Sequence, residues 1–288
     1  MSAIRFMTDS GSDLTPEQAE ALGISLIPFP VTFGDQVYIS GVDFDNERFY
    51  QMLADAPQTP THSQITVYQF TEAFEQAYQD GVADLINTTI NSEGSGTYNS
   101  ACLAAQMFYE AHPEAEGKMR IHNLDSASYT CAYGYPVMEG ARMAREGKDV
   151  EEILAFMRDW LAHSVIYFVP YTLKYAAKSG RIPSAAAFIG ELVGLKPIMR
   201  IYDHAIVTSD KVRGEKKVIP ALVKKATEEM QPNSPYMVIS GDHPEVGDML
   251  DAAMTAALGY PPAGRTQIGA VVSINSGPNV AAVMFHEK

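Results

Sequence analysis

Residues 83–101 read ADLINTTINSEGSGTYNSA, and this stretch decides the fold. Residues 83–90 are a short apolar and β-branched run that reads as a strand. Residues 91–96 form a Ser/Gly loop, and from Thr97 to about Ala111 the apolar positions take helical spacing. A strand that passes through a polar loop into a helix is the building unit of a parallel α/β sheet. The unit recurs twice. Upstream, residues 3–8 run into Asp9-Ser10-Gly11-Ser12-Asp13 and a helix over 16–22, with Thr15 as N-cap and Pro16 at its first position. Downstream, residues 120–124 run into Asp125-Ser126-Ala127-Ser128 and a helix to about Arg145. Ligands of such sheets bind beyond the carboxyl ends of the strands, so the three loops are predicted to meet at one edge.

Around these units, residues 24–33 and 36–40 flank Gly34-Asp35 and predict a small hairpin, and helices are predicted over 46–54, 67–80 and 150–162. The pattern changes near residue 163. A strand over 165–169 is followed by helices around 172–177 and 185–193, and then by a strand pair at 198–202 and 206–209. A helix near 219–230, a strand over 237–240, a helix over 245–257 and strands at 268–274 and 280–285 complete the chain. The fold class is α/β with two domains. Residues 1–163 form an N-terminal domain with a mostly parallel, doubly wound sheet and a hairpin insertion at about 24–45. Residues 164–288 form a C-terminal domain with a mixed sheet and helices.

Composition narrows the function. Over 288 residues, 46% apolar and 19% charged content is too apolar for a disordered chain. A net charge of −14 argues against nucleic acid or a membrane surface as partner. No apolar run reaches the roughly 18 residues that a membrane span needs. The N-terminus lacks the apolar core of a signal peptide, and two cysteines make neither a disulfide framework nor a four-cysteine zinc site. A cytoplasmic protein without metal or cofactor is expected, and a monomer. The charge is uneven: residues 171–225 hold 11 Lys and Arg against four acids, or +7, which leaves −21 for the rest. No phosphate-binding P-loop, dinucleotide fingerprint or G-x-S-x-G elbow is present. In the 91–97 loop a Gly-bracketed Ser95 precedes a helix. A hydroxyl, flexible N–H groups and a positive helix end there suit a carboxylate or phosphate, and equally an ordinary helix cap.

Several segments, in chain order from residue 8 to about 280, resemble the DegV family of bacterial fatty-acid-binding proteins. They are Thr8-Asp9-Ser10-Gly11-Ser12-Asp13-Leu14, Pro60-Thr61-His62-Ser63-Gln64, and the run from Ser92 to Ala101 that holds Ser95-Gly96-Thr97-Tyr98. Lys178-Ser179-Gly180-Arg181-Ile182, Leu195-Lys196-Pro197-Ile198, Lys211-Val212-Arg213-Gly214, Ile268-Gly269 and Asn275-Ser276-Gly277-Pro278-Asn279 continue the series. The resemblance implies a carrier that holds one long-chain fatty acid in a tunnel between its domains. In the family, some members present the carboxylate to a fatty acid kinase catalytic subunit that phosphorylates it with ATP. By this resemblance Ser95, Gly96, His62, Thr61, Ser63 and Asn275 surround the carboxylate, and Arg181 and Arg213 engage the kinase or its phosphates. Asp9, Ser10, Thr97, Asp125 and Ser126 would support the head group, although capping and turn chemistry explains most of them as well. Phe168, Ala186, Phe188 and Ile189 are candidate walls of the acyl tunnel, or plain core. Burial of about 15 methylenes is worth about 12 kcal/mol before the costs of binding.

Three positions depart from the family pattern: His62 stands in place of a Thr, Asn275 in place of a His, and Asn279 in place of a Gly. The expectation is an exchange, in which His62 supplies the imidazole from the other wall of the head-group pocket. The competing function is an enzyme: a hydrolase using Ser95 and His62, or a subunit related to sugar and glycerone kinases. Hydrolysis needs an orienting acid and an oxyanion hole, and the sequence places neither.

Overall fold

The first apolar run becomes strand β1 (Ile4–Asp9), whose last four residues are buried. This computed structural model describes residues 4–182 and 194–288. Helix α1 (Pro16–Leu22) opens on the expected cap: Thr15 Oγ1 accepts from Gln18 N, and the Gln18 side chain accepts from Thr15 N. Strand β2 (Ile24–Ile27) pairs parallel with β1, Phe6 opposite Ile24 and Asp9 opposite Ile27. Here the expected hairpin arm over 24–33 is corrected. Pro28 has no N–H to donate, and the N–H of Phe29 goes to Ser10 Oγ at 2.9 Å, so the ladder with β1 ends. Only β3 (Pro30–Phe33) and β4 (Gln36–Ile39) flank the Gly34-Asp35 turn. Helix α2 (Asn46–Asp55) follows, capped by Asp45. Strand β5 (Thr61–His62) completes a three-stranded sheet of order β4-β3-β5.

Helix α3 (Val67–Gln79) again starts with a capping box, Thr66 with Gln69. Strand β6 (Asp84–Thr89) is buried along its whole length and leads into α4 (Thr97–Ala111). Strand β7 (Arg120–Asp125), α5 (Cys131–Arg145) and α6 (Val150–His163) follow. The sheet has the order β2-β1-β6-β7 with every pairing parallel; the strands of the three strand–loop–helix units lie side by side as expected, and β2, expected in the hairpin, adds a fourth strand at the edge.

From there the chain builds β8 (Ser164–Pro170), α7 (Lys174–Ser179), β9 (Leu195–Tyr202), β10 (Ala205–Arg213) and α8 (Val218–Glu229). It ends with β11 (Tyr236–Ser240), α9 (Pro244–Leu258), β12 (Gly264–Gln267), α10 (Ala270–Ser276) and β13 (Val280–His286). The six-stranded sheet has order β10-β9-β8-β13-β11-β12, antiparallel except for β11 with β12. One of its faces carries Val165, Tyr167, Val169, Val283 and Phe285 and shares a core with Leu222, Leu250 and Met254 of α8 and α9. The other carries Phe168 with its cross-strand partners Met199 and Ala282, all buried.

The run 268–274 is a second correction, because most of it is helix α10 rather than a strand. A short buried apolar run does not distinguish the two states. The place beside β11 is taken by β12, and α10 buries Ala270, Val271, Ser273, Ile274 and Ser276, which is helical spacing. The helix expected over 185–193 lies outside the described residues. By contacts the chain divides into two compact units, one of Met1–Pro30, Ile39–Val42 and His62–Ala162, the other of Val31–Tyr38, Asp43–Thr61 and His163–Lys288.

Candidate functional site

Because β1, β6 and β7 run parallel side by side, their carboxyl ends bring Asp9, the 91–96 loop and Asp125 to one edge. Asp9 is 1% exposed. Its Oδ1 accepts from Gly11 N at 2.9 Å and Tyr133 Oη at 2.6 Å, and its Oδ2 from Ile90 N at 2.8 Å. Burial pushes the carboxyl up to about 6, although all three donors pull it down. Burial, and then the charge of Asp9, likewise raise Tyr133 well above the usual phenol range. Asp9 therefore ties the ends of β1 and β6 to α5.

The Ser95 loop is built on Asn91. Its carbonyl accepts from Gly94 N and Ser95 N, each at 3.0 Å, and its Oδ1 from Glu93 N at 3.0 Å. Asp125 Oδ1 accepts from Ser92 N and Ala127 N, each at 3.1 Å, and joins this loop to the one after β7. Ser95 Oγ lies 2.9 Å from Thr97 Oγ1 and accepts from Thr97 N at 3.3 Å. Thr97 is fully buried, and its Oγ1 already accepts from Ile65 N at 3.3 Å. A buried hydroxyl that fails to donate is costly, so the Thr97 proton belongs on Ser95 Oγ. Ser95 then receives two donors and keeps its own proton for a group outside the loop. It is half-buried and stands at the positive end of the 15-residue α4.

The 62–65 segment runs against this loop. Gln64 Nε2 donates to Ser100 Oγ at 3.0 Å, and a Cβ on Gly96 would stand 2.1 Å from Gln64 Oε1. His62 packs edge-on against Phe29, and Ser63 N donates to Pro30 O at 3.4 Å. Thr61, exposed, and Asn275 of α10, half-buried, belong to the other unit, and the Asn275 amide donates to Val271 O at 2.7 Å. Ser10 and Ser126 serve the backbone: Ser10 holds Phe29 N, and Ser126 Oγ donates to Ser128 O and accepts from Ser128 N. Arg181 and Arg213 are exposed, Arg181 two residues beyond α7 and Arg213 at the end of β10. Phe168 is buried in β8, while Ala186, Phe188 and Ile189 lie outside the described residues. Sequence reasoning missed Tyr133, Tyr129 and the full role of Asn91. The first two lie outside the quoted motifs, and only the fold turns them onto the loops.

A family model described as "Uncharacterised protein, DegV family" matches residues 3–288. The chain belongs to the DegV family. A DegV domain-containing protein of Caldanaerobacter subterraneus subsp. tengcongensis is 32% identical over 292 residues, the whole of both chains. Another, of Clostridium perfringens, is 35% identical over 229 residues, 80% of this chain and 79% of that one. Among solved structures, a fatty-acid-binding DegV family protein of Thermus thermophilus is 25% identical, with a TM-score of 0.86 over 99% of this chain and 100% of the other. A stearic-acid-binding protein of Eubacterium ventriosum shares 25% identity and a TM-score of 0.86 over 99% and 98%. The α/β architecture of this DegV chain is thus that of proteins known to bind fatty acids. Among its described residues no helix is long and apolar enough to cross a membrane.

Proposed function

We propose that this DegV protein binds one long-chain fatty acid and presents its carboxylate to a separate fatty acid kinase catalytic subunit. The carboxylate is proposed to sit at Ser95 and the start of α4. The observation that carries this is that Thr97 N donates to Ser95 Oγ while Thr97 Oγ1 accepts from Ile65 N, so that with the Thr97 proton directed to Ser95 the Ser95 hydroxyl is left to donate outward. A buried carboxylate needs such donors, and a charge-assisted bond is the strong kind. Phe168, buried in β8, is proposed as a wall of the acyl-chain site. The fatty acids bound by the two relatives support the ligand class. The kinase role rests on the family resemblance, and with it the roles of Arg181 and Arg213.

Lipid extraction and native mass spectrometry of the purified protein test the reading, with a co-purifying long-chain acid expected. Ser95→Ala should weaken fatty-acid binding about 10- to 100-fold, the worth of one hydrogen bond to a charged group. A lipid-free protein that gains no mass on incubation with stearic acid would overturn it.

A further inference from the structure

The loop after β7 is held in a conformation its sequence does not favour. Thr130 has φ 51° and ψ −142°, a region where a β-branched residue is a genuine outlier. Its surroundings fix it there. Thr130 N donates to Gly11 O at 3.1 Å, and Thr130 O accepts from Tyr133 N at 3.3 Å and Gly134 N at 3.2 Å. The residue is 4% exposed. The bend delivers its neighbour: Tyr129 Oη accepts from Asn91 Nδ2 at 3.1 Å. The phenol also lies over Gly94, where a Cβ would come within 2.4 Å of the Tyr129 oxygen. Asn91 in turn holds Gly94 and Ser95 through its carbonyl, and its own N–H donates to Ser128 O at 3.1 Å. Strain of this kind is kept where the surrounding structure over-determines it, often at functional sites.

We propose that Tyr129, aimed by the Thr130 bend, is a positioning residue that sets the Ser95 hydroxyl for an anionic head group. This rests on the fatty-acid reading of the Ser95 loop and adds a determinant of head-group selectivity. Tyr129 does not touch the ligand in this scheme. It acts through Asn91 and Gly94, so its loss should cost selectivity for the carboxylate and leave the affinity for the tail unchanged.

The test compares stearic acid with 1-octadecanol, which share a tail and differ in the head group, by competitive displacement of a fluorescent fatty acid. Tyr129→Phe keeps the ring and removes the acceptor of Asn91. It should lower the acid-over-alcohol preference about fivefold or more with alcohol affinity unchanged, and Ser95→Ala should lower the preference further. Thr130→Gly adopts the bend without backbone strain and keeps its backbone bonds, so it should hold the preference near the wild-type value. If Tyr129→Phe keeps the wild-type preference while Ser95→Ala loses it, the positioning role is wrong and the fatty-acid site stands. The role is equally wrong if Tyr129→Phe weakens acid and alcohol alike, and a lost preference in Thr130→Gly, whose backbone can hold the same bend, refutes the part given to that bend. If the wild type binds stearic acid no better than octadecanol, the head-group site itself is wrong, and the proposal falls with it.

Discussion

At the scale of single residues, Asp9 behaves unlike most paired carboxylates. Asp84, at the other end of β6, is held below the usual range by Arg120 and His122 against the opposing effect of burial. Asp9 has only neutral donors, and burial prevails, so its carboxyl titrates near 6 rather than 3.8. The folded state therefore holds more protons than the unfolded state between those two values. The sign follows: the contribution of Asp9 to stability rises as pH falls through 6 and is complete below 3.8. Asp9→Asn removes the titration and sets an amide donor among three donors, so it should destabilise at all pH values. Between pH 7 and pH 5 the stability difference between wild type and Asp9→Asn should shift towards the wild type by roughly 1 kcal/mol. Urea unfolding of both proteins at the two pH values measures this, and a constant difference would refute the raised value. The same residue limits what sequence can reveal. Asp9 was legible as the end of a strand, but its partners Tyr133 and Ile90 lie 124 and 81 residues away and no local pattern announces them.

At the scale of elements, the strand–loop–helix units were legible because their signals are local. Thr15 caps α1 as its sequence predicts, and β6 reads as a strand from its own residues. The failures at 24–33 and 268–274 share a cause: an apolar run tells that a segment is buried, and only its neighbours decide in what form. Helix α5 makes the point quantitatively. Propensity alone says that Gly134→Ala should stabilise the helix by about 1 kcal/mol. The fold says otherwise, because a Cβ there would stand 2.6 Å from the carbonyl oxygen of Ser12, which is backbone and cannot swing away. Overpacking of this kind costs about 1–3 kcal/mol. Gly134→Ala should therefore lower stability by about 1 kcal/mol or more, read as a shift of the urea midpoint. A more stable variant would show that α5 can move off the Ser10–Ser12 turn at little cost.

At the scale of the whole molecule, charge divides along the chain in a way that fits the two tasks of the proposed function. The Ser95 loop and its supports lie in a part of the sequence that is acidic overall, while residues 171–225 carry +7. Within that basic segment several cations are committed to internal pairs. Lys196 Nζ bonds Tyr171 O and Glu215, and Arg200 bonds Glu287 and lies over the Tyr202 ring. Arg181, just beyond α7, and Arg213, at the end of β10, are exposed. On the proposed reading they meet a kinase or its phosphates, and an exposed ionic contact of this kind is screened beyond about 10 Å at 0.1 M salt. Lipid binding, by contrast, draws mainly on apolar burial and a desolvated head group, which salt affects little. Arg181→Glu and Arg213→Glu should therefore leave the affinity for stearic acid within about twofold of wild type. In an assay with ATP and a fatty acid kinase catalytic subunit, each should lower acyl phosphate formation by about tenfold or more, as expected when a like charge replaces a paired one. Raising the salt should weaken the wild-type coupled reaction and spare the binding. If both variants lose the lipid as well, the two tasks are not separate and the basic segment belongs to the ligand site. If both keep full coupling, the kinase engages this protein elsewhere and its charge asymmetry has another cause.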